Sequence, residues 1–275
     1  MNHATAAPPR KVLQAFGVAG EVERLTGGQG NAFASDAIVL KPATDEAEAT
    51  WIAETHLRTE QRGFRLARPV ASASGSFVVD GWAAWSRLPG EHRLLAAPWP
   101  LVVALCARFH EALQLVPRPP FLDRRHDNFA RADRMAWNEL AAPLPAEIRA
   151  VVDRLRAALR PSQQPSQLIH ADFAGNVLFA EGGEPAVIDL SPYWRPASYA
   201  MALTVVDATL WYGGSIDLVN ELAHCDEARQ MVARALIFRL AIDGLFALDA
   251  PGAVWSAAIA RDLASAQPLL RYLRL

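Results

Sequence analysis

The stretch SQLIHADFAGNVLFAEGGEPAVIDL, residues 166–190, places polar side chains where a core segment would carry apolar ones. It reads as a strand at Gln167 to Ile169, a tight polar loop, and two short apolar runs at 176–179 and 186–188 joined by Glu-Gly-Gly-Glu. A Gly-Gly turn between bulky or β-branched runs is a hairpin signal. Asp172, Asn176 and Asp189 stand at or beside the ends of these runs. A carboxylate that can take a proton, an amide oxygen and a second carboxylate are what metal-assisted phosphoryl transfer requires.

Working outward, the chain has 275 residues, 52% of them hydrophobic, enough for one large domain or two lobes with real cores. A net charge of −2 gives no electrostatic case for binding nucleic acid. Cys106 and Cys225 lie far apart within apolar helical patterns, which argues for free thiols and a reducing compartment. The N-terminus lacks the basic start and apolar run of a secretory signal, and no apolar run reaches membrane-span length. A cytoplasmic protein without a membrane partner is expected.

Of 27 basic residues only Lys11 and Lys41 are lysine. A compact ammonium and a forked guanidinium are not interchangeable, so a lysine retained in an arginine-rich chain is a candidate for required chemistry. Lys41 ends the apolar run 37–40, which follows two strands around a turn bearing Gly27, Gly28 and Gly30. Glycines let backbone approach phosphate closely, although such a turn is also common in plain hairpins. From Thr44 to Gln61 the pattern predicts a helix capped by Thr44 or Asp45, with Glu54 at the edge of its inward stripe and able to face Lys41. Short strands then follow to Trp85, and Arg87-Leu88-Pro89-Gly90 punctuates the chain.

Beyond Pro100 the character is helical. Leu101, Leu105, Phe109 and Leu113 make one face, with His110 beside it as a hydrogen-bonded packing residue. His126-Asp127-Asn128 resembles a catalytic motif but lies in a charged segment expected to be a solvated helix face. Another helix is expected from Pro145 to Leu159. Two prolines in SPYWRP, residues 191–196, exclude regular helix or central strand. Three long apolar helices are expected at 197–213, 227–248 and 253–275, and Asp207 and Asp243 within them should each be paired with a nearby arginine or face a cleft, pairing being favoured by the arginine supply.

In this order, glycine turn, strand lysine, helix glutamate, linker, helical lobe, HADFAGN and VIDL, the sequence resembles the aminoglycoside phosphotransferase and choline-kinase-like family of the protein-kinase-like fold. Its H-G-D loop with a downstream Asn corresponds to His170-Ala171-Asp172 and Asn176, its strand ending in I-D to Ile188-Asp189, and its L-H-x-x-L segment to Phe109-His110-Glu111-Ala112-Leu113. The resemblance implies an α+β, two-lobed fold: a small N-terminal antiparallel sheet with one helix over residues 1–86, a hinge over 87–100 and a larger, mainly helical lobe over 101–275. It further implies Asp172 as catalytic base, Asn176 and Asp189 as Mg2+ ligands, and Lys41 on the α- and β-phosphates, steadied by Glu54. Ser86 to Leu88 would offer backbone groups to the base of ATP or GTP, Gly27, Gly28 and Gly30 would cover the phosphates, and His170 would brace the loop. The implied activity is kinase transfer of the γ-phosphate to a hydroxyl of a small molecule.

The chain departs from the family at Ala171, where glycine is usual, and at Phe173-Ala174-Gly175, three residues between Asp and Asn where kinase loops have four. The shorter loop predicts a displaced Asn176 unless Gly175 absorbs the difference. A nucleotide-binding relative without activity, and a metal-dependent hydrolase using His170, Asp172 and Asp189, therefore remain open. For the acceptor, Asp207, Asp217, Glu221, Asp226, Glu227 and Asp243 are offset by Arg229, Arg234 and Arg239, so no acidic excess selects a polycation.

Overall fold

The computed structural model describes residues 6–25, 30–222 and 225–274. Two compact units emerge, Met1–His92 with Val177–Asp189, and Arg93–Asn176 with Leu190–Leu275. The division departs from the expected linear one, because a hairpin of the opening stretch groups with the first unit.

The first unit begins with α1 (Arg10–Ala15), a short helix that the sequence reading lacked. Strands β1 (Glu23–Arg24), β2 (Phe33–Ala34) and β3 (Ile38–Pro42) follow, then α2 (Glu46–Arg58), β4 (Arg65–Leu66), β5 (Pro69–Val70), β6 (Val78–Val79) and β7 (Trp82–Ser86). The antiparallel sheet runs β1-β2-β3-β7-β5, with β6 also on β7. Val12, Phe16, Val18, Phe33, Leu40, Trp82 and Ala84 pack beneath it, so α1 closes one end of this core. The Asp45 side chain accepts from Glu48 N at 3.0 Å and starts α2 as its cap, with Glu46 and Glu48 in the dipole-favoured first turn.

In the second unit, α3 (Trp99–Ala112), α4 (Asn128–Ala136) and α5 (Ala146–Ala157) lead to β8 (Gln167–His170). The chain then returns to the first unit as the hairpin β9 (Val177–Leu178) and β10 (Ala186–Val187), antiparallel to each other. Strand β10 pairs in parallel with β4, and Glu91 bridges Phe179, which ties the hairpin to that unit. Back in the second unit come β11 (Pro192–Arg195), α6 (Ala197–Trp211), α7 (Asp217–Leu222), α8 (Asp226–Asp249), α9 (Ala253–Ser265) and α10 (Gln267–Leu273). Helix α8 is apolar on nearly every side and packs against α4, α5, α6 and α9.

Two expectations need correction here, while the SPYWRP segment, excluded as helix or central strand, forms the strand β11, antiparallel to β8. A two-stranded ribbon contains only edge strands, where proline is tolerated. The charged segment around α4 is not simply solvated: Asp133 and Asn128 are buried, Arg195 bonds both Asp133 and Glu139, and Asn128 bonds Asp249. The last long helix is broken at Ala266, because Pro268 cannot donate within a continuing helix and instead sits in the first turn of α10.

Candidate functional site

In the second unit the strand β8 delivers His170, Ala171 and Asp172 to a loop built on an aromatic anchor. The Phe173 ring is fully buried, 5.6 Å from Phe109, 6.0 Å from His110 and 5.7 Å from His170 between centroids. His110 is the buried packing residue expected of it. Its Nδ1 hydrogen-bonds the Cys106 carbonyl at 2.7 Å, and its Nε2 accepts from His170 N at 3.0 Å. Burial lowers the His110 imidazole to about 4, so it is neutral at ordinary pH. The His170 Nδ1 accepts from Asp172 N at 3.2 Å and Ser191 N at 3.3 Å, which braces the loop from within.

The short loop closes as a turn. Asn176 N donates to Phe173 O at 3.0 Å, and Asn176 Nδ2 donates to Asp172 O at 2.6 Å and to Asp172 Oδ2 at 3.0 Å. Asp172 and Asn176 are therefore brought together with three residues between them. Ala171 is not among the described residues with positive φ, so the departure from glycine introduces no backbone strain.

The other carboxylate oxygen, Asp172 Oδ1, receives Arg239 Nη2 at 3.3 Å. Sequence reasoning placed Arg239 and Asp207 in paired apolar helices but missed their bearing on the site. Arg239 Nε and Nη2 hold Asp207 at 2.6 and 2.5 Å, and Nη2 also bonds Ala171 O at 2.9 Å. Burial pushes the Asp207 carboxyl up to about 7 against the opposing pull of Arg239. The signal in the sequence was an aspartate and arginines inside apolar helices, with nothing to say which arginine, Arg229, Arg234 or Arg239, the aspartate would take.

In the first unit, Lys41 lies on β3 and Asp189 follows β10, and the Lys41 ammonium bonds Asp189 Oδ1. Burial lowers the ammonium to about 8. Asp189 has φ +53°, a left-handed conformation that costs a non-glycine residue on the order of 1–3 kcal/mol and concentrates at functional sites. The expected Lys41 and Glu54 pair is not formed. Glu54 bonds Arg58 one helical turn on at 3.0 Å, while Lys41 goes to Asp189. Of the residues expected to offer backbone groups to the base, Ser86 and Arg87 have their N–H groups in sheet bonds: Ser86 N donates to Arg68 O at 2.7 Å and Arg87 N to Ala37 O at 2.7 Å. Leu88 is the residue of the three whose N–H is not in these sheet bonds.

Gly27 and Gly28 lie outside the described residues. Gly30 has φ +64°, and its carbonyl accepts from Arg24 at 2.7 Å across the β1–β2 hairpin.

In the second unit Asn176 spends its NH2 on Asp172, and in the first unit the second oxygen of Asp189 is not in the bond to Lys41. Amide and carboxylate oxygens are the donor type that a hard divalent cation takes. Among the described residues no three His, Cys, Asp or Glu side chains cluster to hold a metal, and no helix is long and apolar enough to cross a membrane.

Solved structures of similar fold include an aminoglycoside phosphotransferase from Alicyclobacillus acidocaldarius, at 16% identity and TM-score 0.63 over 98% of this chain and 96% of that one. An amicoumacin kinase in complex with AMP-PNP, Ca2+ and Ami matches at 17% identity and TM-score 0.61, over 87% and 86% of the two chains. A thermostable aminoglycoside phosphotransferase in ternary complex with ADP and hygromycin B matches at 16% and 0.59, over 94% and 97%. They share the α+β, protein-kinase-like architecture. No curated protein matches the sequence. The phosphotransferase enzyme family model, however, matches residues 21–193, from the first strand past both HADFAGN and VIDL. With well over half of its length matched, this chain belongs to the phosphotransferase enzyme family.

Proposed function

We propose that this phosphotransferase moves the γ-phosphate of ATP or GTP to a hydroxyl of a small molecule, with Asp172 as the base. The observation that carries the reading is the hold on Asp172: Asn176 fixes one carboxylate oxygen and Arg239 the other, while the side chain stays half exposed to an incoming acceptor. A carboxylate fixed at both oxygens is aimed before the acceptor arrives. Asp172 accepts the acceptor hydroxyl's proton as that oxygen bonds to the γ-phosphorus, and the bond from phosphorus to the β,γ-bridging oxygen breaks, leaving the nucleoside diphosphate.

Lys41 binds the α- and β-phosphates, Asn176 and Asp189 hold Mg2+, and Leu88 offers its N–H to the nucleotide base. Bound Mg2+ supplies neutralisation of phosphate charge. Gly27, Gly28 and Gly30 cover the phosphates. Glu54, engaged with Arg58, has no part in this set.

The acceptor is a small molecule bearing a hydroxyl. Relatives of this fold were solved with hygromycin B and with spectinomycin, which supports trying such antibiotics among the acceptors. An inactive nucleotide-binding relative is not favoured, because the shortened loop still sets Asn176 on Asp172.

The test is a thermal shift with Mg2+ and ATP or GTP, followed by transfer assays on aminoglycosides, choline-like compounds, sugars and amino alcohols. Nucleotide-dependent stabilisation and transfer that disappears in Asp172→Ala are expected. Equal transfer by wild type and Asp172→Ala would refute the base.

A further inference from the structure

Arg239 is buried in the middle of α8, at 5% exposure, and its guanidinium plane lies 5.2 Å from the Trp211 ring and 5.0 Å from the Phe238 ring. Its single nitrogen Nη2 faces three acceptors: Asp207 Oδ2 at 2.5 Å, Ala171 O at 2.9 Å and Asp172 Oδ1 at 3.3 Å. Two hydrogens cannot serve three acceptors equally, and the longest of the three contacts is the one to Asp172. Asp207, at 1% exposure, takes both Nε and Nη2 and so has first claim on the charge.

This arrangement is more than packing. One cation stands between two carboxylates, of which one is sealed in the core and the other is half exposed. If Asp207 did not anchor the guanidinium, Arg239 would be free to close onto Asp172 as a forked ion pair and occupy the lone pairs needed for a proton. If Arg239 were missing, Asp172 would lose the contact on Oδ1, and the loop would lose the bond at Ala171 O.

Resting on the reading of Asp172 as the base, we propose that Arg239 is a positioning residue that aims the Asp172 carboxylate, and that Asp207 keeps the guanidinium from closing onto it. The reaction then depends on two residues that touch neither nucleotide nor acceptor.

The experiment measures Mg2+-dependent ATP hydrolysis, with water as the acceptor, in wild type, Asp172→Asn, Asp207→Asn, Arg239→Lys and the double variant Asp207→Leu with Arg239→Met. The double variant exchanges the buried pair for apolar groups, a replacement that buried ion pairs often tolerate without loss of fold. Arg239→Lys keeps a charge for Asp207 but lacks the second arm, and provides an independent folded variant. In each Asp207 and Arg239 variant kcat should fall about 10- to 100-fold, the usual effect of losing a supporting partner. KM for ATP and the nucleotide-dependent thermal shift should stay at the wild-type value, which a merely structural defect would not spare. A kcat within about threefold of wild type in the double variant or in Arg239→Lys, while Asp172→Asn is inactive, overturns the positioning role alone. Wild-type hydrolysis by Asp172→Asn overturns the base assignment itself.

Discussion

Lys41 and Asp189 are 148 residues apart in sequence and joined in the structure by a salt bridge between the end of β3 and the residue after Ile188. Asp189 holds its carboxylate there from a left-handed backbone, which glycine or asparagine would adopt more easily. Asp189→Asn should therefore keep the fold, with an apo melting temperature near wild type, yet lose the charge needed for metal and lysine. Lys41→Met and Asp189→Asn should each lower kcat/KM for nucleotide on the order of 10²–10³-fold. Calorimetric binding of nucleotide with Mg2+ checks both, and unchanged affinity in either would remove that residue from the site.

Asn176 ties Asp172 through its NH2, and under the proposed function its Oδ1 would hold Mg2+. Asn176→Ala should lower kcat and also raise the Mg2+ concentration for half-maximal activity by about 10-fold or more. A metal titration of steady-state activity separates the two, since a variant that lost only the Asp172 contact would keep its metal requirement.

His110 makes stability sensitive to acid. Its folded value, about 4, lies below the usual 6.5, so the unfolded chain takes up a proton first as pH falls. The stabilisation from neutral His110 is complete above about 6.5 and is lost between there and about 4, at up to about 1.4 kcal/mol per pH unit. His56, buried against Ala67 O and likewise lowered to about 4, adds to the same slope. Urea unfolding from pH 7 to 4 should show a shallower decline in His110→Gln, and parallel curves for variant and wild type would contradict the linkage.

Gly175 is crowded in space. A Cβ there would lie 3.2 Å from the Tyr212 hydroxyl, whose ring stacks on Trp99 at 5.8 Å. Gly175→Ala should cost about 1 kcal/mol, and Tyr212→Phe should recover much of it by removing the opposing oxygen. A double-mutant cycle on melting temperature reads the coupling, and strict additivity would show that the contact yields without cost.

Much of the site was legible because its residues are local in sequence. His170, Asp172 and Asn176 lie within seven consecutive positions, and the run after the Gly-Gly turn ends at Asp189 in the sequence. Hydrophobic periodicity likewise marked α2 and α3, and the scarcity of lysine singled out Lys41. The cap of α2 could be read because capping is an interaction over three residues.

What failed involved choices among distant partners. A glutamate on a helix can bond the arginine four residues on or a lysine on a neighbouring strand, and periodicity does not decide between Arg58 and Lys41. The sheet likewise gives the Ser86 and Arg87 N–H groups to Arg68 and Ala37, a pairing of residues distant in sequence.

The sequence by itself determined the family and the α+β class, and pointed to Asp172 as the candidate base, because those reside in short motifs and in periodic patterns of burial. Only the tertiary structure decided that the hairpin β9–β10 belongs with the sheet-bearing unit, that Asp189 takes Lys41, and that Arg239 stands between Asp172 and Asp207. The physical reason is that a buried charge must find its counter-charge wherever packing brings one, and sequence separation carries no information about that choice.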